Sequence, residues 1–374
     1  MKKTIQWMLI LVFCGFIGVF SVMNCFNENR EFSDQENRLL AQFPEFSWDK
    51  FFFDHYTIDL EEWFTDQFVA RDQWVGLKAV SERMLGKIEN QNVFFGKEDW
   101  LISQVDVIDR TKMERNIRKI NSFAEQTDIP VTVMLVPTVA QSNASMLPDF
   151  AYNTDQDELA EQIYSQLENV EIVSVRDALK QTEQEDYYFK TDHHWNALGA
   201  YQGYKTLMES WGMTALEPGM DFDYEISAKD FKGTQYSRSG AYWHPGDPIL
   251  TWTYRDPFDV AVRYDQQDPV YDSLFSWDRL KGKDKYMVYL DGNHALTQIH
   301  SSVDSDEKLL VIKDSYAHVM VPYLAAHFSD ITMADLRYYR LSLSDLAHQM
   351  GADRILILYN IPNFCEDPGL ALLK

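Results

Sequence analysis

The chain has 374 residues, a formal net charge of −24, 45% hydrophobic and 14% aromatic residues. That charge argues against nucleic acid and other polyanionic partners, whose affinity comes largely from Lys and Arg neutralising phosphates. The length allows one large domain or two, and no low-complexity tract or fixed-period repeat is present, which excludes a disordered chain or a solenoid.

At the N-terminus, Lys2 and Lys3 precede an uncharged, almost wholly apolar run from Trp7 to Met23. The run is near the lower length limit for crossing a bilayer. Flanking lysines stay on the cytoplasmic side, so the rest of the chain is expected outside the cytoplasm. A cleaved signal peptide is the competing reading. No small-x-small site follows the run, which favours a retained anchor over residues 1–25. Asn24 before Cys25 fits a lipoprotein cleavage box poorly. The three cysteines, Cys14, Cys25 and Cys365, show no metal-ligand spacing. A Cys25–Cys365 disulfide is conceivable in an oxidising compartment, but a chain this large does not need one.

Residues 26–56 are mixed and aromatic, punctuated by Pro44, and read as a stalk; with the helices that follow they make a juxtamembrane region over 26–90. Over 57–86, Leu60, Trp63, Phe64, Phe68, Trp74, Leu77, Val80 and Met84 recur at spacings near three and four, the mark of helices with an apolar stripe, here expected to be core. From about residue 92 the pattern becomes α/β. Val93–Phe95 and Trp100–Ile102 read as short strands around a Gly96–Asp99 turn, and 111–126 as an amphipathic helix. Strands are expected at Val131–Val136, Val170–Val175, Leu309–Ile312, Ile331–Ala334 and Ile355–Tyr359. Helices are expected at 156–168, after Asn196 and ending at Gly212, at 317–328 and at 343–350. Apolar strands alternating with helices imply a mostly parallel sheet covered on both faces over 91–374. Residues 215–290 interrupt the alternation with strand-like pieces at 250–254 and 260–264 and read as a β-rich insertion. Its Tyr236, Tyr242, Trp243, Trp252 and Tyr254 suit either sugar stacking or ordinary β packing.

Two segments concentrate chemistry. The first is Thr191–Asp192–His193–His194–Trp195–Asn196, just before a helix that Asn196 can cap. A nucleophilic enzyme needs a base near neutral pKa, which imidazole supplies, and a carboxylate to fix its tautomer. Asp192 and His194 alternate, so on an extended loop both point to one side, and His193 points away. The second is the strand Leu309–Ile312 running through Lys313–Asp314 into Ser315, Tyr316 and a helix. This puts a hydroxyl at the C-terminal edge of a parallel sheet, where α/β proteins place active sites, beside backbone N–H groups able to hold an oxyanion. A plain Asp/Ser helix cap is the alternative.

These segments together resemble the bacterial DHHW family, which is similar to the catalytic domain of the alginate O-acetyltransferases in the SGNH hydrolase superfamily. Glu36–Asn37–Arg38, Phe68–Arg71–Asp72, Gly96–Lys97–Glu98–Asp99–Trp100–Leu101, Phe231–Lys232–Gly233–Thr234 and Ser237–Ser239–Gly240 match the same pattern. The resemblance implies Ser315 as nucleophile, His194 as base and Asp192 as its orienter, on an SGNH-like α/β fold in circularly permuted motif order. The amide of Ser315, with Gly292 and Asn293 after an expected strand Tyr286–Leu290, are oxyanion candidates. His193, Trp195, Asn196, Tyr316 and Arg337 are candidates for supporting or lining the site. One departure is Lys313, where the family usually has Gly.

The function expected on these grounds is O-acetylation of an extracellular polysaccharide through an acyl-serine, or ester hydrolysis at the same site. No cofactor or metal is implied. By resemblance, a membrane-bound O-acyltransferase supplies the acetyl donor. Two other readings stand beside it: a catalytically idle, anchored carbohydrate-binding or assembly protein, and a metal site on Asp192, His193 and His194. The latter lacks a distant third ligand or a helical His-x-x-x-His pair.

Overall fold

The computed structural model describes residues 2–53, 55–180 and 186–373. The chain forms two compact units, Met1–Lys87 with Gly240–Trp243, and Ile88–Ser239 with His244–Lys374.

The first unit is helical: α1 (Lys2–Cys25), α2 (Trp48–Phe53), α3 (Tyr56–Asp66) and α4 (Arg71–Met84). Helix α1 is long and apolar enough over Lys3–Cys25 to cross a membrane, and no residue of that stretch is fully buried in the protein. An ion-pair network ties the rest together. Asp66 takes the Arg38 guanidinium on both oxygens at 2.8 and 2.5 Å, and Arg71 reaches Glu36 at 2.5 Å. Thus Glu36, Arg38 and Arg71, three polar members of the family pattern, pair within one network. The apolar stripe of α3 and α4 differs from expectation: Phe64, Leu77 and Met84 are 51%, 55% and 84% exposed. Periodicity reports an apolar face, not what covers it, and Ala79 is the sole buried residue of α4.

The second unit is α/β. Its sheet strands are β1 (Val131–Val136), β2 (Glu171–Ser174), β3 (Val260–Tyr264), β4 (Leu296–Ser301), β5 (Lys308–Lys313), β6 (Asp330–Ala334) and β7 (Arg354–Asn360). Their order across the sheet is β3-β4-β6-β5-β7-β1-β2. The run from β6 to β2 is parallel, while β3 and β4 pair antiparallel at one edge, making the sheet mixed. Alternate side chains of the parallel strands feed two cores. Leu309 and Val311 join one with Met134, Val136, Leu356 and the helices α7 (Ala197–Ser210) and α9 (Ala317–Leu324). Leu310 and Ile312 join the other with Val133, Ile355, α5 (Arg110–Gln126), α6 (Gln156–Tyr164) and α10 (Leu343–Met350). A strand buried on both faces must be apolar nearly throughout, which is why these runs are almost unbroken in sequence. Helix starts are set locally: Asp109, Asp155 and Asn196 each accept two backbone N–H groups at their helix N-termini.

Three expectations are corrected. The piece at 260–264 belongs to the main sheet as β3, paired to β4, which lacked a distinct sequence signal. Tyr286–Leu290 is not a strand: Lys285–Val288 forms a 3₁₀ turn and Leu290 takes φ +55°. Tyr286, Val288, Tyr289 and Leu290 are all buried, so packing on every side overrides the β-prone composition. Cys25 and Cys365 are not bonded; all three cysteines are free, and Cys365 lies in a core.

Candidate active site

The loop before α7 folds on itself. Asn196 N–H donates to the Tyr187 carbonyl at 2.9 Å, and Asp247 accepts the amides of Lys190 and Thr191 at 3.0 and 2.8 Å. This holds Asp192 and His194 at the C-terminal edge of the sheet, where β5 delivers Ser315. Asp192 Oδ1 lies 2.5 Å from His194 Nδ1, and His194 Nε2 lies 2.7 Å from Ser315 Oγ. An ionised carboxylate only accepts, so Nδ1 carries the proton and Nε2 is left to accept from the serine hydroxyl. Burial works against the Asp192 anion. The two neighbouring imidazoles, the His194 hydrogen bond and the Thr234 amide outweigh it and hold the carboxyl well below its ordinary range.

The far oxygen of Asp192 accepts the Thr234 amide at 2.8 Å. Gly233 makes this possible, because a Cβ there would sit 2.3 Å from Asp192 Cβ and Oδ2. The Phe231–Thr234 motif therefore holds the carboxylate. Tyr286 supports the other side: its ring stacks on His194 at 3.9 Å and 8°, and its hydroxyl donates to the Ser315 carbonyl at 2.9 Å. Neither Gly233 nor Tyr286 carried a sequence signal for such a role beyond lying in, or near, a family motif.

The turn carrying Ser315 is anchored by Asp314, which accepts from the Tyr316 amide, the Asn360 amide, Asn360 Nδ2 and Asn363 Nδ2 at 2.7 to 3.0 Å. Among the described residues the Ser315 amide has no acceptor. Lys313, just before the turn, is fully buried. Its buried ammonium pairs with Asp335 at 2.9 Å and donates to His318 Nε2 at 2.8 Å. Burial lowers the Lys313 pKa against the pull of Asp335.

The other candidates divide. Trp195 Nε1 donates to the Tyr316 carbonyl at 2.8 Å and Tyr316 Oη donates to the His193 carbonyl, so both brace the loop against the Ser315 turn. Asn196 caps α7. The His193 ring reaches a cleft, and burial together with the adjacent His194 pushes its pKa down to about 4. Arg337 forks onto Asp335 at 2.6 and 2.8 Å and donates to Asn293 at 2.8 Å, which ties both to the Lys313 network. Gly292 takes φ +80° on the turn beside Asn293. Of the two readings of the insertion's aromatics, packing holds for Trp252 and Tyr236: Trp252 is 3% exposed and stacks on Tyr323 at 3.8 Å, and Tyr236 is 1% exposed.

Asp192, His193 and His194 offer ligand atoms within 4.8 Å of one another. Both His194 nitrogens are engaged, however, Nδ1 by Asp192 and Nε2 by Ser315, an arrangement for moving a proton rather than for ligation. A cleft of about 510 Å³ opens at His193 and Tyr316, lined on its other walls by Ser103, Asp106, Gln235 and Asn363.

A family model described as DHHW protein matches residues 119–334. Among solved structures, a DHHW family protein from Eubacterium siraeum is similar with TM-score 0.64 and 23% identity, over 77% of this chain and 98% of that one. PatB1 of Bacillus cereus, solved with a sulfonyl adduct, is similar with TM-score 0.62 and 22% identity over 75% and 98%. At these identities the likeness speaks to the fold. No curated protein matches the sequence.

Proposed function

The chain belongs to the DHHW protein family, and on that premise we propose that it is an extracytoplasmic serine acyltransferase or esterase acting on acetyl esters at a polysaccharide. The observation that carries this reading is the 2.7 Å approach of Ser315 Oγ to His194 Nε2, with Asp192 on the opposite ring nitrogen.

In this mechanism His194 takes the Ser315 proton as Oγ attacks the carbonyl carbon of an acetyl ester. Asp192 steadies the imidazolium that forms. The oxyanion develops beside the unoccupied Ser315 amide, with Gly292 and Asn293 as further candidates. Collapse expels the donor alcohol, which receives the proton from His194, and leaves acetyl-Ser315. A sugar hydroxyl entering by the cleft at His193 then loses its proton to His194 and attacks the acyl carbon, which restores the free serine. Water in place of the sugar makes the same site an esterase. The Asp–His pair precedes the serine in the chain, the order of a circularly permuted SGNH enzyme. Helix α1 is read as a retained single-pass anchor, with the donor delivered by a membrane-bound O-acyltransferase.

The test is Ser315→Ala, assayed on a reporter acetyl ester and by labelling with a sulfonyl serine reagent. Activity and labelling are both expected to vanish while the thermal midpoint stays near that of the parent, since the change removes a single small hydroxyl. Full activity in Ser315→Ala refutes the reading.

A further inference from the structure

The unit that follows the apolar helix leaves large apolar side chains in water. Trp48 and Phe52 on α2 are each 66% exposed, and Leu77 and Met84 on α4 are 55% and 84% exposed. Exposed apolar area costs about 25 cal/mol per Å², and soluble monomers rarely keep large contiguous patches of it.

Ring contacts join the α3–α4 side of this unit to α1. Phe16 and Phe20 of α1 meet Trp74 of α4 at 6.3 and 5.5 Å, and Phe20 stacks on Phe68 at 5.9 Å. Phe68 meets Phe64 at 5.8 Å, and Phe64 itself is 51% exposed. At about 1.5 Å per residue, Phe20 and Phe16 lie roughly 8 and 14 Å along the helix before Cys25. If α1 crosses a bilayer with its lysines in the cytoplasm, Trp74 and Phe68 therefore sit at or below the outer headgroups.

Helix α4 is two-faced in the same sense. Val75 and Ala79 pack so tightly on Gly240 that a Cβ there would sit 3.3 Å from each. Leu77 and Met84 lie on the opposite face at helical spacing and remain open, while Trp74 beside them meets the α1 rings.

We propose that residues 43–85 are a membrane-interface platform: α2 and the open face of α4 lie in the outer-leaflet interface, continuous with α1. The occupant is the lipid bilayer itself, engaged through apolar and aromatic burial and not through charge. The chain's net charge of −24 gives anionic headgroups nothing to attract, whereas aromatic rings partition into the interface of neutral bilayers. The inference rests on the reading of α1 as a retained span.

The experiment uses the full chain in phosphatidylcholine vesicles, with Cys14 and Cys25 replaced by Ser and one new cysteine carrying an environment-sensitive fluorophore. Phe52→Cys and Met84→Cys probe the platform, Val12→Cys the span, and Val107→Cys, 77% exposed in the other unit, is the reference. Nitroxide lipids are expected to quench positions 52 and 84 severalfold more than position 107, and high salt should not reverse this. In a second variant, Leu77→Glu should reduce quenching at position 84. Quenching at 52 and 84 no greater than at 107 overturns the platform. Position 12 reports separately: if it is quenched while 52 and 84 are not, the anchor stands and the platform falls, and if it is unquenched the anchor reading fails too.

Discussion

Gly233→Ala adds one methyl group at the point where the backbone touches Asp192. The new Cβ would lie 2.3 Å from Asp192 Cβ and Oδ2 and 2.6 Å from Cγ, where ordinary contact begins at 3.4 Å. Asp192 or the Gly233–Thr234 backbone must then move by about 1 Å, a scale at which misplacement alone can cost ~100-fold in rate. Any such movement lengthens the 2.5 Å Asp192–His194 contact, the 2.8 Å Thr234 amide bond, or both. Losing the orienting carboxylate outright costs about 10⁴-fold in serine proteases, which sets the upper end. We expect kcat on a reporter acetyl ester to fall by ~10²- to 10⁴-fold, with KM little changed. Overpacking should cost about 1–3 kcal/mol of stability, read by chemical denaturation. Gly282→Ala is the control, because its Cβ would meet only the Arg279 carbonyl at an ordinary 3.5 Å. A folded Gly233→Ala enzyme with activity close to the parent refutes the claim that this glycine sets the position of Asp192.

Asp192→Asn should leave the fold intact, as measured by circular dichroism, yet reduce ester cleavage by roughly 10⁴-fold, because an amide favours the wrong His194 tautomer; an active variant removes Asp192 from the relay. Asp314→Ala strips the acceptor from four donors around the Ser315 turn and should cost about 2–4 kcal/mol in chemical denaturation along with most of the activity; near-parent stability would show that those bonds are not needed. His327 is held near pKa 4 against an ordinary 6.5 by burial. The unfolded chain therefore binds more protons between pH 6.5 and 4, and stability should fall as pH drops through that window. His327, whose Nε2 lies 2.6 Å from the Tyr204 hydroxyl, accounts for roughly 3 kcal/mol of this at most. The thermal midpoint should decline from pH 6.5 to 4.5, and His327→Gln should flatten the slope; an unchanged slope assigns the effect elsewhere.

The elements legible in the sequence are those specified by their own local pattern. Val131–Val136, Leu309–Ile312 and Ile355–Tyr359 read as strands because a strand buried on both faces is apolar at nearly every position, with Thr132 the one polar exception. Helix α7 announces its start through Asn196, whose side chain accepts the amides of Leu198 and Gly199. The alternation of Asp192 and His194, and the strand–serine–helix order at Ser315, are local in the same way. Contacts between distant segments leave no such trace. His194 and Ser315 are 121 residues apart and Asp192 and Thr234 are 42 apart, so their meeting depends on which strands neighbour one another, and pairing is decided by the whole sheet. For the same reason the fate of Lys313 was hidden: only the fold brings Asp335 to it at 2.9 Å and turns an intruding charge into a buried pair. Strand β4 was missed because its mixed sequence, Leu296–Ser301, lacks the unbroken apolar run of the central strands although it pairs on both sides, and Tyr286–Leu290 was misread because packing on all sides replaced the ladder that its β-prone residues favour. The stripe over residues 57–86 marks the same boundary, since a sequence can specify an apolar face but only the assembled surroundings determine whether protein, lipid or water lies against it.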